Sequence, residues 1–331
     1  MNTRIFILAV FAGLLISGCT VFSMDLKPKE EVEEVFVCGE EESPNKILII
    51  PVSGLIMSSD DYSVLARQDA VTPEKIKELL MRSEKDDTIK AIILEIDSPG
   101  GGVTASDIIH KTLSEYKIRF PGRPVIALMK DTAASGGYYI AMTADYLIAH
   151  PTSITGSIGV ISVFVTIEDL LGKIGVETVV VKSGQAKDIG SPFRKMTSSE
   201  KEFMQNIIDQ MYNRFIDTVY ANRKSVLSRA ELLQIADGRV LTGEQAVQAK
   251  LIDATGYLTD AFVKAKEMSK ITEAKVIRYK KKKGVLETAF RIESPSNEMF
   301  ALASVILPLR EAFLQGGTGR FMYLWMPSLE R

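Results

Sequence analysis

Ser135 lies in Asp131-Thr-Ala-Ala-Ser-Gly-Gly-Tyr-Tyr139, and Lys187 in Lys182-Ser-Gly-Gln-Ala-Lys-Asp-Ile-Gly-Ser-Pro192. Small residues around a serine let another backbone come close. A lysine in a Gly- and Ser-rich loop has no evident surface pairing role. Together they fit a nucleophile and its base, the Ser/Lys form of serine-protease chemistry. A serine hydroxyl reacts only when a base takes its proton, and a lysine is a base only when deprotonated. From a reference pKa of about 10.4, work near neutral pH needs a drop of about 3 units, roughly 4 kcal/mol, which burial in an apolar pocket can supply. Asp188 would oppose that drop if it faced inward, so its carboxylate is expected to point away. Taken singly, each residue has a plainer reading: a small turn serine and a surface charge.

Asp97-Ser-Pro-Gly-Gly-Gly102 is placed to supply the remaining part of such a site. Its glycines end a strand and open a helix, so their N–H groups face outward with the positive end of the helix behind them. An oxyanion hole of this kind is worth about 3 kcal/mol per donor. The N–H of Gly136, just after the serine, would be the second donor. An ordinary glycine-rich strand-to-helix turn has the same composition.

These pieces sit on alternating elements. Strands are expected from Lys46, over Ala91–Asp97, from Pro124, over Asp145–His150 and over Glu177–Lys182. Between them, Thr72-Pro-Glu caps a helix to about Ser83, and Thr104-Ala-Ser-Asp107 fits a capping box for a helix to about Tyr116. A small-residue helix follows Ser135 to about Thr143, and another spans about Ile167 to Ile174. Alternation of this kind predicts an α/β fold with parallel strands and helical crossovers. A long amphipathic helix is expected from Thr197 to about Arg223, and shorter ones from Leu227 to Met268. Met299–Leu314 has the pattern of a further amphipathic helix. Lys280–Lys283 reads as a solvated strand end, with contact to anionic lipid as the sharper alternative.

The chain has 331 residues, 46% hydrophobic and 25% charged, enough apolar material for a sizeable core. A net charge of −2 gives no general attraction to nucleic acid. Arg4 and the apolar run Ile5–Ile16 form a targeting segment too short to span a bilayer comfortably. It ends in Leu15-Ile-Ser-Gly-Cys19, which resembles the bacterial lipobox. The resemblance implies acylation at Cys19, with an uncleaved signal anchor as the other possibility. Either places the bulk of the chain outside the cytoplasm, tethered to a membrane. Thr20, not an aspartate, follows Cys19 and favours an outer membrane in a cell that has two. The organisation is then residues 1–18 as signal peptide, 19–45 as tether with its acidic stretch Glu30–Glu42, 46–270 as catalytic domain and 271–331 as extension. Cys38 is the second of two cysteines and has no partner if Cys19 is acylated. With two histidines besides, no Cys/His metal set is available, and no cofactor or metal is expected.

The motifs Asp97-Ser-Pro-Gly-Gly-Gly, Ala133-Ala-Ser-Gly-Gly-Tyr-Tyr, Thr155-Gly-Ser-Ile-Gly-Val and Lys187-Asp-Ile-Gly-Ser-Pro-Phe-Arg resemble, in order, those of the bacterial signal peptide peptidase A family in its short form. Asp237-Gly-Arg-Val-Leu-Thr-Gly-Glu-Gln-Ala and Leu251-Ile-Asp-Ala-Thr-Gly also fit, so the resemblance covers about residues 46–270. It implies the Clp protease/crotonase-like fold of repeated ββα units, ring-forming. It also implies a Ser/Lys endopeptidase that degrades cleaved signal peptides and similar apolar peptides. Carried onto this chain, Ser135 is the nucleophile, Lys187 the general base, Gly101 the oxyanion donor of the glycine turn and Ser157 the group that orients the lysine. In the family the short form assembles into a homo-oligomeric ring, and the dyad can form across a subunit boundary. The family is usually anchored by a transmembrane helix, whereas this chain carries the lipobox-like segment.

Three other readings compete. His150 near a strand end would permit a Clp-like Ser-His-Asp peptidase. A crotonase-like enzyme would use the glycine turn to hold an acyl-thioester enolate, but would have no need of Lys187. A non-catalytic ring-forming lipoprotein scaffold would have no need of Ser135 and Lys187 together. At the other end of the chain, Phe321-Met-Tyr-Leu-Trp325 is too apolar to stay in water. It is expected to dock near the ring interior and partly inhibit the site, or else to pack on the outer surface or stay disordered.

Overall fold

The computed structural model describes residues 32–58, 70–281 and 321–325. Cys19, the signal segment, the Met299–Leu314 helix and the second half of the lysine run lie outside the described residues. In chain order the strands are β1 (Val32–Gly39), β2 (Lys46–Ser53), β3 (Ile89–Ser98), β4 (Gly100–Gly102), β5 (Val125–Ala134), β6 (Tyr146–Ala149), β7 (Ile154–Gly156), β8 (Val240–Thr242), β9 (Ala254–Thr255), β10 (Lys275–Lys281) and β11 (Met322–Leu324). The main sheet runs β1-β10-β2-β3-β5-β6-β9, with β7 beside β5 and β8 beside β7.

Neighbouring strands from β10 through β2, β3, β5 and β6 to β9 are parallel. Parallel strands are covered on both faces, so they read as continuous apolar runs. Lys46-Ile-Leu-Ile-Ile-Pro-Val-Ser53 and Ile89-Lys-Ala-Ile-Ile-Leu-Glu-Ile-Asp-Ser98 do so. The period of two along a strand then divides them between two cores. Leu48, Ile50, Ile92, Leu94, Ile96, Ala127 and Met129 face the larger core, shared with Leu80, Leu113, Tyr139 and Phe215 from the helices. Ile47, Ile49, Ile93, Ile126 and Leu128 face the other side, where Ala261 and Ala265 of the helix Leu258–Ser269 pack.

The helix Pro73–Ser83 has the expected start: Thr72 Oγ1 accepts from the N–H of Lys75, with proline at the first position. Thr197 and Glu200 form a full capping box on the helix Ser198–Arg223. At Val103–Arg119 the expected box is absent. Gly102 stands at the cap without a side-chain bond, and Asp107 instead receives the Tyr139 hydroxyl and Arg214.

Two differences from the sequence reading concern strands. Glu177–Lys182 is not a strand; Val179 and Val181 are 80% and 96% exposed, and among the described residues no neighbouring edge pairs with them. A strand needs an edge as well as β-branched residues, and among the described residues this segment has none. Conversely, Val32–Gly39, within the acidic stretch expected to be solvated, pairs antiparallel with β10. β10 itself, beyond residue 270, lies inside the main sheet between β1 and β2. Lys46 ties this edge down by ion pairs to Glu34 at 2.8 Å and Asp86 at 2.9 Å.

Candidate active site

β5 leads directly into the short helix Gly136–Ala141, and Ser135 is the corner between them. Its φ of 52° and ψ of −111° are rare for a residue with a side chain. Two bonds hold the corner: the Ser135 N–H donates to the Gly156 carbonyl, and the Tyr139 N–H to the Ser135 carbonyl, each at 2.8 Å. Below it, the Tyr138 hydroxyl donates to the Leu251 carbonyl and the Tyr139 hydroxyl to Asp107, both at 2.7 Å. Burial pushes the Tyr139 phenol up to about 12, so it stays a donor to that carboxylate. Ser135 is 1% exposed, and its hydroxyl has no hydrogen-bond partner among the described residues. A corner of this kind presents a serine oxygen at the end of a strand for attack.

The glycine turn meets this corner. A Cβ on Gly136 would lie 2.6 Å from Ser106 Oγ and 3.2 Å from the Gly101 nitrogen, and one on Gly100 would lie 2.7 Å from the Gly136 nitrogen. Side chains at these positions would separate the amides from the serine. Gly101 itself lies so close to Ile56 that a Cβ would fall 2.0 Å from the Ile56 carbonyl oxygen. The Gly100 N–H donates to Ser98 Oγ at 3.1 Å and the Gly102 N–H to the Ile56 carbonyl at 2.9 Å. Gly101 faces the other edge of β4, where β11 pairs and Tyr323 stands opposite it.

Ser157 follows Gly156, the residue that accepts the Ser135 N–H, so the two serines sit on adjoining chains. Ser157 is also a positive-φ corner, at 50°, its N–H donating to the Arg239 carbonyl at 2.8 Å. Ser135, Gly101, Gly136 and Ser157 are thus brought together by β4, β5, β7 and the short helix.

Lys187 is placed differently. It lies in the single 3-10 turn Gln185–Asp188, on a segment from residue 161 to 188 in which no residue is buried. Its side chain is exposed, and no hydrogen bond or ion pair joins it to Ser135 or Ser157 among the described residues. The adjacent Asp188 is taken up by Arg194 at 2.7 Å and Lys182 at 2.6 Å, which hold its carboxyl well below the usual carboxylate range and turn it to those partners. His150 stacks on Tyr257 with ring centres 4.9 Å apart and makes no hydrogen bond to Ser135. Among the described residues no group of three or more His, Cys, Asp or Glu side chains is placed to hold a metal.

Sequence reasoning did not single out Ser106, which fixes how close Gly136 comes, or the Asp107–Tyr139–Arg214 network beneath the corner. The Tyr-Tyr pair directly after Ser-Gly-Gly was the available signal for the network, since two phenols on a buried helix need partners.

The parallel sheet, the strained serine corner and the converging glycine amides define a serine peptidase with a Clp protease-like α/β fold. Comparison with known proteins gives the same class. Residues 118–272 match Peptidase family S49 and residues 63–155 match Clp protease. The chain is 33% identical over 298 residues to an Enterococcus faecium protein that carries the name signal peptide peptidase SppA, covering 85% of each. It is 32% identical over 272 residues to a Methanocaldococcus jannaschii protein named as a protease, covering 80% of this chain and 79% of that one. To Protease 4 of Haemophilus influenzae it is 36% identical over 226 residues, covering 68% of this chain but 35% of that longer protein. The chain belongs to the S49 family of signal peptide peptidase-like serine peptidases.

Proposed function

We propose that this protein is a Ser/Lys endopeptidase that cuts cleaved signal peptides and similar apolar peptides outside the cytoplasm. Ser135 is the nucleophile, Lys187 the general base, Ser157 the group that orients the lysine, and Gly101 and Gly136 the oxyanion donors. The neutral Lys187 Nζ takes the Ser135 proton as Oγ attacks the peptide carbonyl carbon. The oxyanion rests on the two glycine N–H groups, and the lysine ammonium then returns the proton to the leaving amine. Water, deprotonated by the same lysine, releases the acyl group from Ser135. The observation that carries this reading is the Ser135 corner, buried and strained at φ 52° against the glycine amides.

A lysine base needs a desolvated setting, and the exposed position of Lys187 supports an assembly in which a second copy supplies it. The same segment exposes Val179, Val181, Ile174 and Leu170 at 58% or more, more apolar surface than a lone chain keeps in water. Packing it on a neighbour within a homo-oligomeric ring would cover those side chains and bury Lys187 beside a serine. Anchoring belongs to the same proposal: residues 1–18 are removed, Cys19 is acylated, residues 46–270 form the peptidase domain, and two or more acyl chains hold the protein on the membrane. Cys19→Ser is expected to accumulate as unprocessed precursor. An intact Met1 segment in the mature wild-type protein, by mass spectrometry, would mean an uncleaved signal anchor.

The function is tested by hydrolysis of a synthetic signal peptide with purified Ser135→Ala, Lys187→Ala and His150→Ala variants. Both dyad variants should lose activity about equally, since a nucleophile and its base act as one unit. His150→Ala should stay near wild type. Loss in His150→Ala with turnover kept in Lys187→Ala would move the base role to the histidine.

A further inference from the structure

Two helices carry the two halves of the site. The helix Val103–Arg119 starts directly after the glycine turn, so its position fixes that of the Gly101 N–H. The helix Gly136–Ala141 starts directly after Ser135, so its position fixes that of the nucleophile. Whatever holds one helix against the other therefore sets the attacking oxygen against that oxyanion donor. At their starts the two are in close contact. Ser106 is fully buried, its Oγ donates to the Gly102 carbonyl at 3.0 Å, and a Cβ on Gly136 would lie 2.6 Å from that oxygen. This contact limits how near the helices come, but it does not hold them together.

A hydrogen bond one turn further along each helix does that. Tyr139 is the fourth residue after Ser135, and its N–H closes the first turn on the Ser135 carbonyl at 2.8 Å. Asp107 is the fifth residue after Gly102. The Tyr139 hydroxyl donates to Asp107 Oδ1 at 2.7 Å. Both partners are themselves held. Arg214 donates from Nε to Asp107 Oδ1 at 2.8 Å and from Nη2 to Oδ2 at 2.9 Å, a two-point grip that fixes the plane of the carboxylate. Thr218 Oγ1 lies 3.1 Å from the phenol oxygen, and the Tyr139 ring meets those of His110 and Phe215 in T-shaped pairs with centres 5.2 and 5.0 Å apart. Arg214, Phe215 and Thr218 all belong to the helix Ser198–Arg223, so a third helix braces the joint. Neither Asp107 nor Tyr139 bonds the Ser135 hydroxyl among the described residues.

We propose that the Tyr139–Asp107 bond is a strut that sets the Ser135 hydroxyl against the Gly101 N–H, which makes both side chains positioning residues for attack on the peptide carbonyl. The proposal rests on the peptidase reading. Reacting groups misplaced by about 1 Å can lose about a hundredfold in rate, so loosening a joint one helical turn away should cost about tenfold. The neighbouring tyrosine supplies the contrast. Tyr138 is equally buried and its hydroxyl donates to the Leu251 carbonyl at 2.7 Å, but this bond ties the same helix to the chain before β9 rather than to the glycine turn.

The test compares Tyr139→Phe with Tyr138→Phe, each lacking one buried phenol bond on the same helix. Both are measured in cleavage of a synthetic signal peptide and in fluorophosphonate labelling of Ser135. Tyr139→Phe should lower kcat, kcat/KM and the labelling rate together by about tenfold, since the alignment matters only in the transition state. Tyr138→Phe should lower the urea midpoint about as much as Tyr139→Phe does, yet keep these rates within about twofold of wild type. Asp107→Ala should match Tyr139→Phe, and the double variant should fall no further, because both remove the same bond. Asp107→Asn keeps an acceptor for the phenol and should recover most of the rate. Where Tyr139→Phe fails to fold, judged by circular dichroism, Arg214→Met decides instead. Its side chain is mostly exposed, and losing its grip on Asp107 should lower kcat about threefold with KM unchanged. Equal rate losses in the two tyrosine variants, an unchanged kcat in the deciding variant, or a change in KM alone overturns the strut. A wild-type protein that neither cleaves the peptide nor takes the label overturns the peptidase reading, and the strut's part in the attack with it.

Discussion

A serine held at φ 52° and ψ −111° stores about 1–3 kcal/mol of backbone strain, which the surrounding bonds must sustain. Glycine takes such a conformation with far less strain. Ser135→Gly should therefore raise stability by about 1 kcal/mol in urea titration while abolishing cleavage, whereas Ser135→Ala should abolish cleavage without that gain. Equal stability of the two variants would mean that the corner is not strained. A second residue-scale prediction concerns His110, packed edge-on against Tyr139. Burial lowers its pKa to about 4, helped by the nearby Arg214 and Lys117 and opposed by Asp107. The folded value lies below the ordinary one of about 6.5, so the unfolded chain takes up the proton first. The stability from this group is complete above about pH 6.5 and is lost as pH falls towards 4. Urea midpoints should fall across that window, and His110→Phe should flatten the fall.

Among the elements, β4 carries the heaviest constraint, because it is flanked by Ile56 on one side and Tyr323 on the other. Gly101→Ala would put a methyl 2.0 Å from the Ile56 carbonyl oxygen, and should lower stability by at least about 2 kcal/mol as well as activity. Arg223, nearly buried, bonds the Lys250 carbonyl at 2.9 Å and Asp253 at 2.7 Å, fixing the long helix to the chain before β9. Arg223→Met should cost about 3–5 kcal/mol, since Asp253 would lose its cation and keep the Leu147 N–H bond at 2.8 Å. Both variants can be measured by thermal or urea unfolding. The elements around the site were legible because their signals are local. Thr72-Pro, Thr197-Ser-Ser-Glu and the apolar runs of β2 and β3 act within a few residues. The state of Glu177–Lys182 was not legible in this way, since pairing depends on an edge that the described residues do not offer it. The pairing of β1 with β10 was hidden for the same reason, its partner lying more than two hundred residues away.

At the scale of the whole molecule, the proposed assembly bears on how much of the site one copy completes. The residues that converge in one chain, Ser135, Gly101, Gly136 and Ser157, come from motifs joined by neighbouring strands, so their sequence order was a usable guide. Lys187 sits on a segment with no buried residue, and its place relative to Ser135 depends on what packs against that segment. If a second copy does, Ser135→Ala and Lys187→Ala proteins mixed and reassembled should recover part of the activity that each lacks alone. Val181→Asp, at a side chain 96% exposed in one copy, should reduce both the assembled mass by light scattering and the cleavage rate. A fully active monomer would show that the base is supplied within one chain.

The central claim, a serine made nucleophilic by Lys187, is tested most directly by a fluorophosphonate probe with the labelled site mapped by mass spectrometry. The wild-type protein should be labelled at Ser135, faster as pH rises above neutral because the lysine must first lose its proton. Labelling should disappear in Ser135→Ala, fall by at least about a hundredfold in Lys187→Ala and persist in His150→Ala. Label on another residue, or wild-type labelling rates in Lys187→Ala, would contradict the account.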